Sequence, residues 1–203
     1  MTETSFQALA PAFDLGNRSR KKWTSAEVRR LYDLGALTPN DRLELLNGEL
    51  VEKMGMKGPH AIVLNLLQVL LMSLFGEGYV IRQQQPLVVA EGSEPEPDFA
   101  VVAGNARDFV ENPSQALLAV EVSDSTLSYD LGGKAALYAQ AGVEDYWVVD
   151  INSRLLYVHR TPIVSPALPG GAGYQTITRL TETDGITPLA APQSSFLVAE
   201  ILP

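Results

Sequence analysis

The chain has 203 residues, 46% hydrophobic and 19% charged, a balance that makes one well-cored domain the simplest reading and argues against a disordered chain. Without cysteine it can form no disulfide, no reactive thiolate and no cysteine-based zinc site. A net charge of −9 argues against non-specific nucleic-acid binding over the whole surface, since such binding comes from neutralising phosphates.

Residues 1–22 show no apolar periodicity and read as a flexible N-terminal arm, with a single domain following over 23–203. No charged start precedes an apolar run, so no secretory signal is visible. With the absence of cysteine, this points to a cytoplasmic protein. Six of the fifteen basic residues fall between Arg18 and Arg30: Arg18, Arg20, Lys21, Lys22, Arg29 and Arg30. The cluster reads either as a solvated arm and helix face or as a phosphate-contacting patch. A helix starts at Thr24, whose partner in a capping box is Glu27, and Gly35 suits its end. In "RLELLNGELVEKM" the Asn47-Gly48 pair marks a hairpin. A helix over about 59–75 follows; Asn65, Gln68 and Ser73 interrupt its apolar run, so it belongs to a core and not to a membrane. "YVIRQQQPLVVAEG" is a strand interrupted at Pro86, and the acidic "EGSEPEPD" cannot be a central strand. "DFAVVA" and "LLAVEVSD" are strands, about 130–141 is a helix, and "DYWVVDINSRLLYVHR" is a hairpin. Loops and edge strands fill 161–203, outside a core of 23–160. This order gives an α/β (α+β) fold, a mixed central sheet flanked by helices.

Side chains alternate along a strand. On "LLAVEVSD", Leu118, Val120 and Val122 share one face; Ala119, Glu121 and Ser123 share the other. On "PDFAVV", Asp98 shares a face with Ala100 and Val102. If these strands are neighbours, Asp98 and Glu121 converge over small residues. Two carboxylates in a partly dry site repel, so one takes up a proton or a cation sits between them. A hard divalent ion fits, because magnesium is held by one or two carboxylates and keeps several waters. Lys134, thirteen residues after Glu121, is a second cation within reach, and it shares a helix face with Tyr138. Taken singly, each acid also reads as a structural ion pair or an edge residue.

Together "PDFAVV", "AVEVSDSTLSYDLGGKAALYAQAGVEDYWVVD" and "RLELLNGELVEKM" resemble the Uma-two family of restriction endonucleases, within the PD-(D/E)xK nuclease superfamily. The resemblance covers about 23–160. It implies a restriction-endonuclease-like fold and an Mg2+-dependent site (Mn2+ is an alternative) hydrolysing DNA phosphodiesters. Carried over, Asp98 and Glu121 are metal ligands. The superfamily lysine, two residues after that acid, is replaced by Ser123, and Lys134 on the next helix takes its place. Glu44 matches an early acid that completes the metal shell, against a hairpin salt bridge. His60, Gln85, Asp130 and Tyr138 match or neighbour site positions: His60 as a helix-start residue or site neighbour, Gln85 on the strand before Asp98, Asp130 as an N-cap, Tyr138 as packing or site wall. His159 has no motif around it and reads as structural. Where relatives carry Val-Pro-Glu this chain has Val143-Glu144-Asp145, read as a helix-to-strand loop. The resemblance also implies a homodimer, with Tyr146, Trp147 and the C-terminal strands as a candidate interface; no membrane partner is expected, since no apolar run is long enough to span a bilayer. Two other readings compete: an inactive binding or assembly module on a nuclease fold, and a two-carboxylate glycosidase, which the small number of tryptophans disfavours.

Overall fold

The computed structural model describes residues 19–53, 55 and 58–203. The arm expected over 1–22 therefore lies mostly outside the described residues, and so does Arg18. Helix α1 (Ser25–Asp33) starts where the sequence places it: Glu27 N–H donates to Thr24 Oγ1, and the Glu27 carboxylate accepts from Thr24 N–H, closing the capping box. It ends at Leu34, ahead of Gly35 at φ +70°.

Strands β1 (Leu43–Leu46) and β2 (Glu49–Glu52) form a hairpin whose turn residues, Asn47 and Gly48, both have positive φ. The hairpin is docked on the acidic loop after β3. Gly48 N–H donates to Gly92 O at 2.7 Å, and Glu94 N–H donates to Leu45 O at 2.7 Å. A side chain at Gly92 would stand 2.9 Å from Trp23 O, so only glycine lets the loop come this close.

The central sheet has six strands in the order β3 (Tyr79–Gln83), β4 (Phe99–Ala103), β5 (Leu118–Ser123), β6 (Asp145–Asp150), β7 (Leu155–Val164) and β8 (Ala172–Leu180). Only β5 and β6 run parallel, because a helix rather than a hairpin joins them. A short β9–β10 pair (Gly185–Ile186 and Phe196–Leu197) lies outside this sheet. One face packs on helix α2 (Gly58–Leu74), where Val63, Leu67 and Leu71 meet Phe99, Val120, Trp147 and Leu156; the C-terminal Val198 and Ile201 seal it. Burying each such leucine or phenylalanine contributes about 1.5–3 kcal/mol.

The opposite face carries Ala119, Tyr146 and Val148 and packs on a second helical segment. That segment has three parts: α3 (Leu127–Tyr129), one π turn (Asp130–Lys134) and α4 (Ala135–Gln140). It starts three residues before the expected 130. Asp130 is consequently not an N-cap. It lies inside the segment, buried, and accepts from the hydroxyls of Ser123 and Thr126. Tyr146 and Trp147 are both fully buried in the core, so neither is available to a partner subunit. Asp145 opens β6 rather than lying in a loop, and it too is fully buried.

His159 on β7 is 1% exposed, and neither ring nitrogen has a hydrogen-bond partner among the described residues. Its ring packs on Tyr146 and Tyr174, with centroids 5.3 and 5.5 Å away. Burial pulls its pKa down from 6.5 to about 4. Below pH 6.5 the unfolded chain therefore takes up a proton that the folded chain refuses. Stability from this group is complete above pH 6.5 and is lost as pH falls toward 4. Thermal melts between pH 4 and 7 check this: His159→Phe should flatten the slope across that window, and an unchanged slope would show that another group causes it.

Candidate active site

The acid pair is set by register. Phe99 pairs with Val120 across β4 and β5, so Asp98, one residue earlier, stands opposite Glu121. Both carboxylates project from the face that carries Ala100 and Ala119, where small side chains leave room. Asp98 Oδ2 accepts from the backbone N–H of Val122 at 2.8 Å, which ties it to the residue following Glu121. Its Oδ1 meets His60 Nε2 at 3.3 Å and accepts from Gln84 Nε2 at 3.2 Å.

Glu121 is 4% exposed. Its Oε1 accepts from Lys134 Nζ at 2.9 Å and from the Tyr138 hydroxyl at 2.7 Å. Lys134 and Tyr138 are one turn apart, so both reach down from one helix face. The π turn ends at Lys134 itself; such turns widen the helix locally and recur at functional sites. Ser123 points to the same side as Glu121 but is fully buried, with its hydroxyl committed to Asp130. A lysine there would have no path to solvent, and the ammonium comes instead from the helix above.

Glu44, on β1, is 8% exposed. Its Oε1 accepts from Glu96 N–H at 3.1 Å and lies 3.6 Å from Lys134 Nζ. One ammonium thus touches carboxylates from two sheets. The cation facing Glu44 is therefore Lys134 on the helix rather than a group on the hairpin. Glu44, His60, Gln84, Asp98, Glu121 and Lys134 line one cavity of about 610 Å3, together with Arg42, Lys53 and Tyr129.

The expectation for Gln85 does not hold. β3 ends at Gln83, Gln85 is exposed beyond it, and the glutamine that reaches Asp98 is Gln84. Gln84 has φ +49° and its backbone N–H donates to Pro97 O and Asp98 O, continuing the β3–β4 register by one residue. That register is the signal that finds it: the residue after Gln83 faces the residue before Phe99.

The electrostatics follow from burial. Burial pushes Glu121 up to about 8; Lys134 opposes this, while Asp98, Asp130 and Glu44 reinforce it. Burial lowers Lys134 too, but Glu121, Glu44 and Asp130 together outweigh it and hold the lysine above its ordinary range. The lysine is therefore permanently charged, and the acid beside it is the group that titrates. Tyr138 is raised well above the ordinary tyrosine range by burial and then by Glu121, so it stays a neutral donor.

These residues also bear on a metal. Among the described residues, no group of three His, Asp or Glu side chains is arranged to hold an ion by itself. What is offered is two or three carboxylates with oxygen donors only, and Glu121 Oε2 takes no hydrogen bond among the described residues. That donor set fits magnesium, which needs one or two carboxylates and completes its shell with water and substrate phosphate.

The model of the Uma2 family, described as "Putative restriction endonuclease", matches residues 26–198. The chain belongs to this family. No curated protein matches it. Among solved structures it is similar to a putative nuclease of the DUF820 group from Anabaena variabilis ATCC 29413. The TM-score is 0.58 at 14% identity, over 84% of this chain and 96% of that one, a likeness of fold. The Uma2 match extends past the 23–160 stretch carrying the sequence motifs and takes in the end of β7, β8, the β9–β10 pair and Val198. No helix among the described residues is long and apolar enough to cross a membrane.

Proposed function

We propose that this Uma2 chain is an Mg2+-dependent endonuclease that hydrolyses DNA phosphodiester bonds at the Asp98–Glu121–Lys134 cavity. The observation that carries the reading is the meeting of three elements: Asp98 bonded to the N–H that follows Glu121, and Lys134 bonded to Glu121 from the next helix. Asp98 and Glu121 would hold the ion, with Glu44 beside them as a further acid on the Lys134 ammonium. When bound, a divalent ion there supplies Lewis acidity to the phosphate and lowers the pKa of a bound water. Lys134 keeps its proton and places a compact charge where negative charge develops on the phosphate. His60 and Gln84 fix the orientation of Asp98; Tyr138 fixes Glu121. The cavity lining sets Arg42, Lys53 and Lys134 among seven carboxylates, so the reading relies on the bound ion to meet the charge of the substrate. The reading includes a homodimer, one copy for each strand, with an interface that uses neither Tyr146 nor Trp147, and a cytoplasmic location.

Titration calorimetry with Mg2+ or Mn2+ tests it. Wild type should bind and Asp98→Ala should not. Because Glu121 must lose a proton to serve as a ligand, binding should release protons below pH 8, with affinity falling up to about tenfold per pH unit further down. In parallel, metal-dependent cleavage of plasmid and linear DNA should vanish in EDTA. A chain that neither binds the ion nor cuts DNA would instead be the inactive module, whose one structural argument is that Lys134 and Glu121 already satisfy each other.

A further inference from the structure

A second cavity, of about 460 Å3, adjoins the one just described. Pro39, Arg42, Lys53 and Glu96 line both and form a shared wall. The neighbouring cavity has a different character. Its floor is apolar: Val28 and Leu45 are buried, and Tyr32 and Leu50 are half-buried beside them. At its rim stands Arg29, an exposed member of the basic cluster on α1, and Arg42 stands on the shared wall. Glu94 and Asn112 add an acceptor and an amide.

Two polar atoms at this cavity have no hydrogen-bond partner among the described residues. One is Ser25 Oγ on the lining; the other is Nε of Arg82, directly behind it. Arg82 is 7% exposed, and its Nη2 donates to Pro86 O at 3.2 Å and to Asn112 Oδ1 at 2.9 Å, both residues of the lining. Those acceptors are neutral. The charged groups of the lining are Arg29, Arg42 and Lys53 against Glu94 and Glu96, and buried Arg82, bonded to neutral acceptors, makes a fourth cation, an excess of positive charge that suits an anion.

Phosphate is the anion that a strand leaving the neighbouring site would bring. The apolar floor has no use for a sugar-phosphate backbone alone, but it suits the flat face of a base, for which an aromatic ring is a stacking platform. A base reaches such a pit only when it is unpaired. We propose that this cavity is a subsite for one unpaired nucleotide next to the cleaved bond, its base against Tyr32 and Leu45 and its phosphate toward Arg29 and Arg42. This rests on the nuclease reading and adds a preference for single-stranded or locally opened DNA.

The test is a binding titration in EDTA, with the full chain and fluorophore-labelled DNA of one sequence in single-stranded and duplex form. Wild type should bind the single strand more tightly. Tyr32→Ala should weaken single-strand binding roughly tenfold, and Tyr32→Phe, which keeps the ring, should restore it. Arg29→Glu should lower the slope of log K against log salt by about 0.7, the loss of one phosphate contact. Thermal melts confirm that each variant folds. Duplex preferred over single strand, or Tyr32→Ala and Arg29→Glu both binding as wild type does, would overturn the subsite. Since no metal or cleavage enters the titration, it decides the subsite separately from the nuclease reading, which falls instead if Asp98→Ala cuts DNA as well as wild type.

Discussion

Replacing Lys134 with alanine should slow metal-dependent DNA cleavage about 100- to 1000-fold, the usual cost of removing one donor from a site that stabilises developing charge. Asp98→Ala and Glu121→Ala should abolish it. The interest of Lys134→Ala lies in what it does not do. Breaking a buried ion pair ordinarily strands a charge at a cost of about 3–5 kcal/mol. Here the groups left without the ammonium are Glu44, which keeps its bond from Glu96 N–H, and Glu121, whose pKa already stands at about 8 because of burial and which is the nearer of the two. Without its cation it shifts higher still and keeps a proton at neutral pH. A carboxylic acid whose folded pKa exceeds its unfolded one is stable while protonated and loses that stability as pH rises toward the folded value. The variant should therefore melt close to wild type at pH 6 and fall behind it at pH 9. Single-turnover cleavage with Mg2+, together with melts at the two pH values, separates the roles. Wild-type cleavage by Lys134→Ala would remove the lysine from the chemistry.

The largest loss of stability is expected away from the site, at Asp145. This carboxylate is fully buried, and its partners lie on β6, on β7 and in the loop between β9 and β10. Oδ1 accepts from Trp147 Nε1 at 2.8 Å and Arg160 Nε at 2.9 Å; Oδ2 accepts from Arg160 Nη2 at 3.2 Å and Leu189 N–H at 2.9 Å. Asp145→Ala leaves an indole N–H, a backbone N–H and a guanidinium without their acceptor. Arg160 keeps only its bond to Thr187 O, at 2.7 Å. The expected cost is about 3–5 kcal/mol, which for a chain of this size lowers Tm by roughly 6–20 °C. Differential scanning calorimetry measures it. A shift within a degree or two would mean that the network is ornamental, and metal affinity of the folded variant should be unchanged in any case.

Most of the site was legible because strand alternation and chain order are local rules. Period two along β4 and β5 places Asp98 and Glu121 on one face, and a helix after β5 must pack back across that face, which brings Lys134 over Glu121. What was misread depends on exceptions to those rules. Gln84 turns through a left-handed conformation, so alternation continued past Gln83 selects its neighbour Gln85. Asp130 carries a capping residue type, but Ser123 and Thr126 draw it inward and the helix begins before it. Asp145 looks like loop chemistry in a sequence, since a lone aspartate beside a glutamate gives no hint of Arg160, fifteen residues later, folding back as its partner. The hairpin carrying Glu44 was read correctly as a turn. Its place at the site was not derivable from pattern, because the docking bonds made by Gly48 N–H, Leu45 O, Asn47 N–H and the Glu44 carboxylate each have a backbone group of the hairpin or of the loop as at least one partner.

The acids belong to the sheet, and the ammonium hangs from a helix broken by a π turn with two adjacent glycines, Gly132 and Gly133. The two halves of the constellation are thus mechanically separable. Shortening that turn by one residue would swing everything after it by about 100° around the helix axis while the strands stay where they are. The cation could be retimed, withdrawn or replaced along evolutionary lineages without rebuilding the acidic floor beneath it.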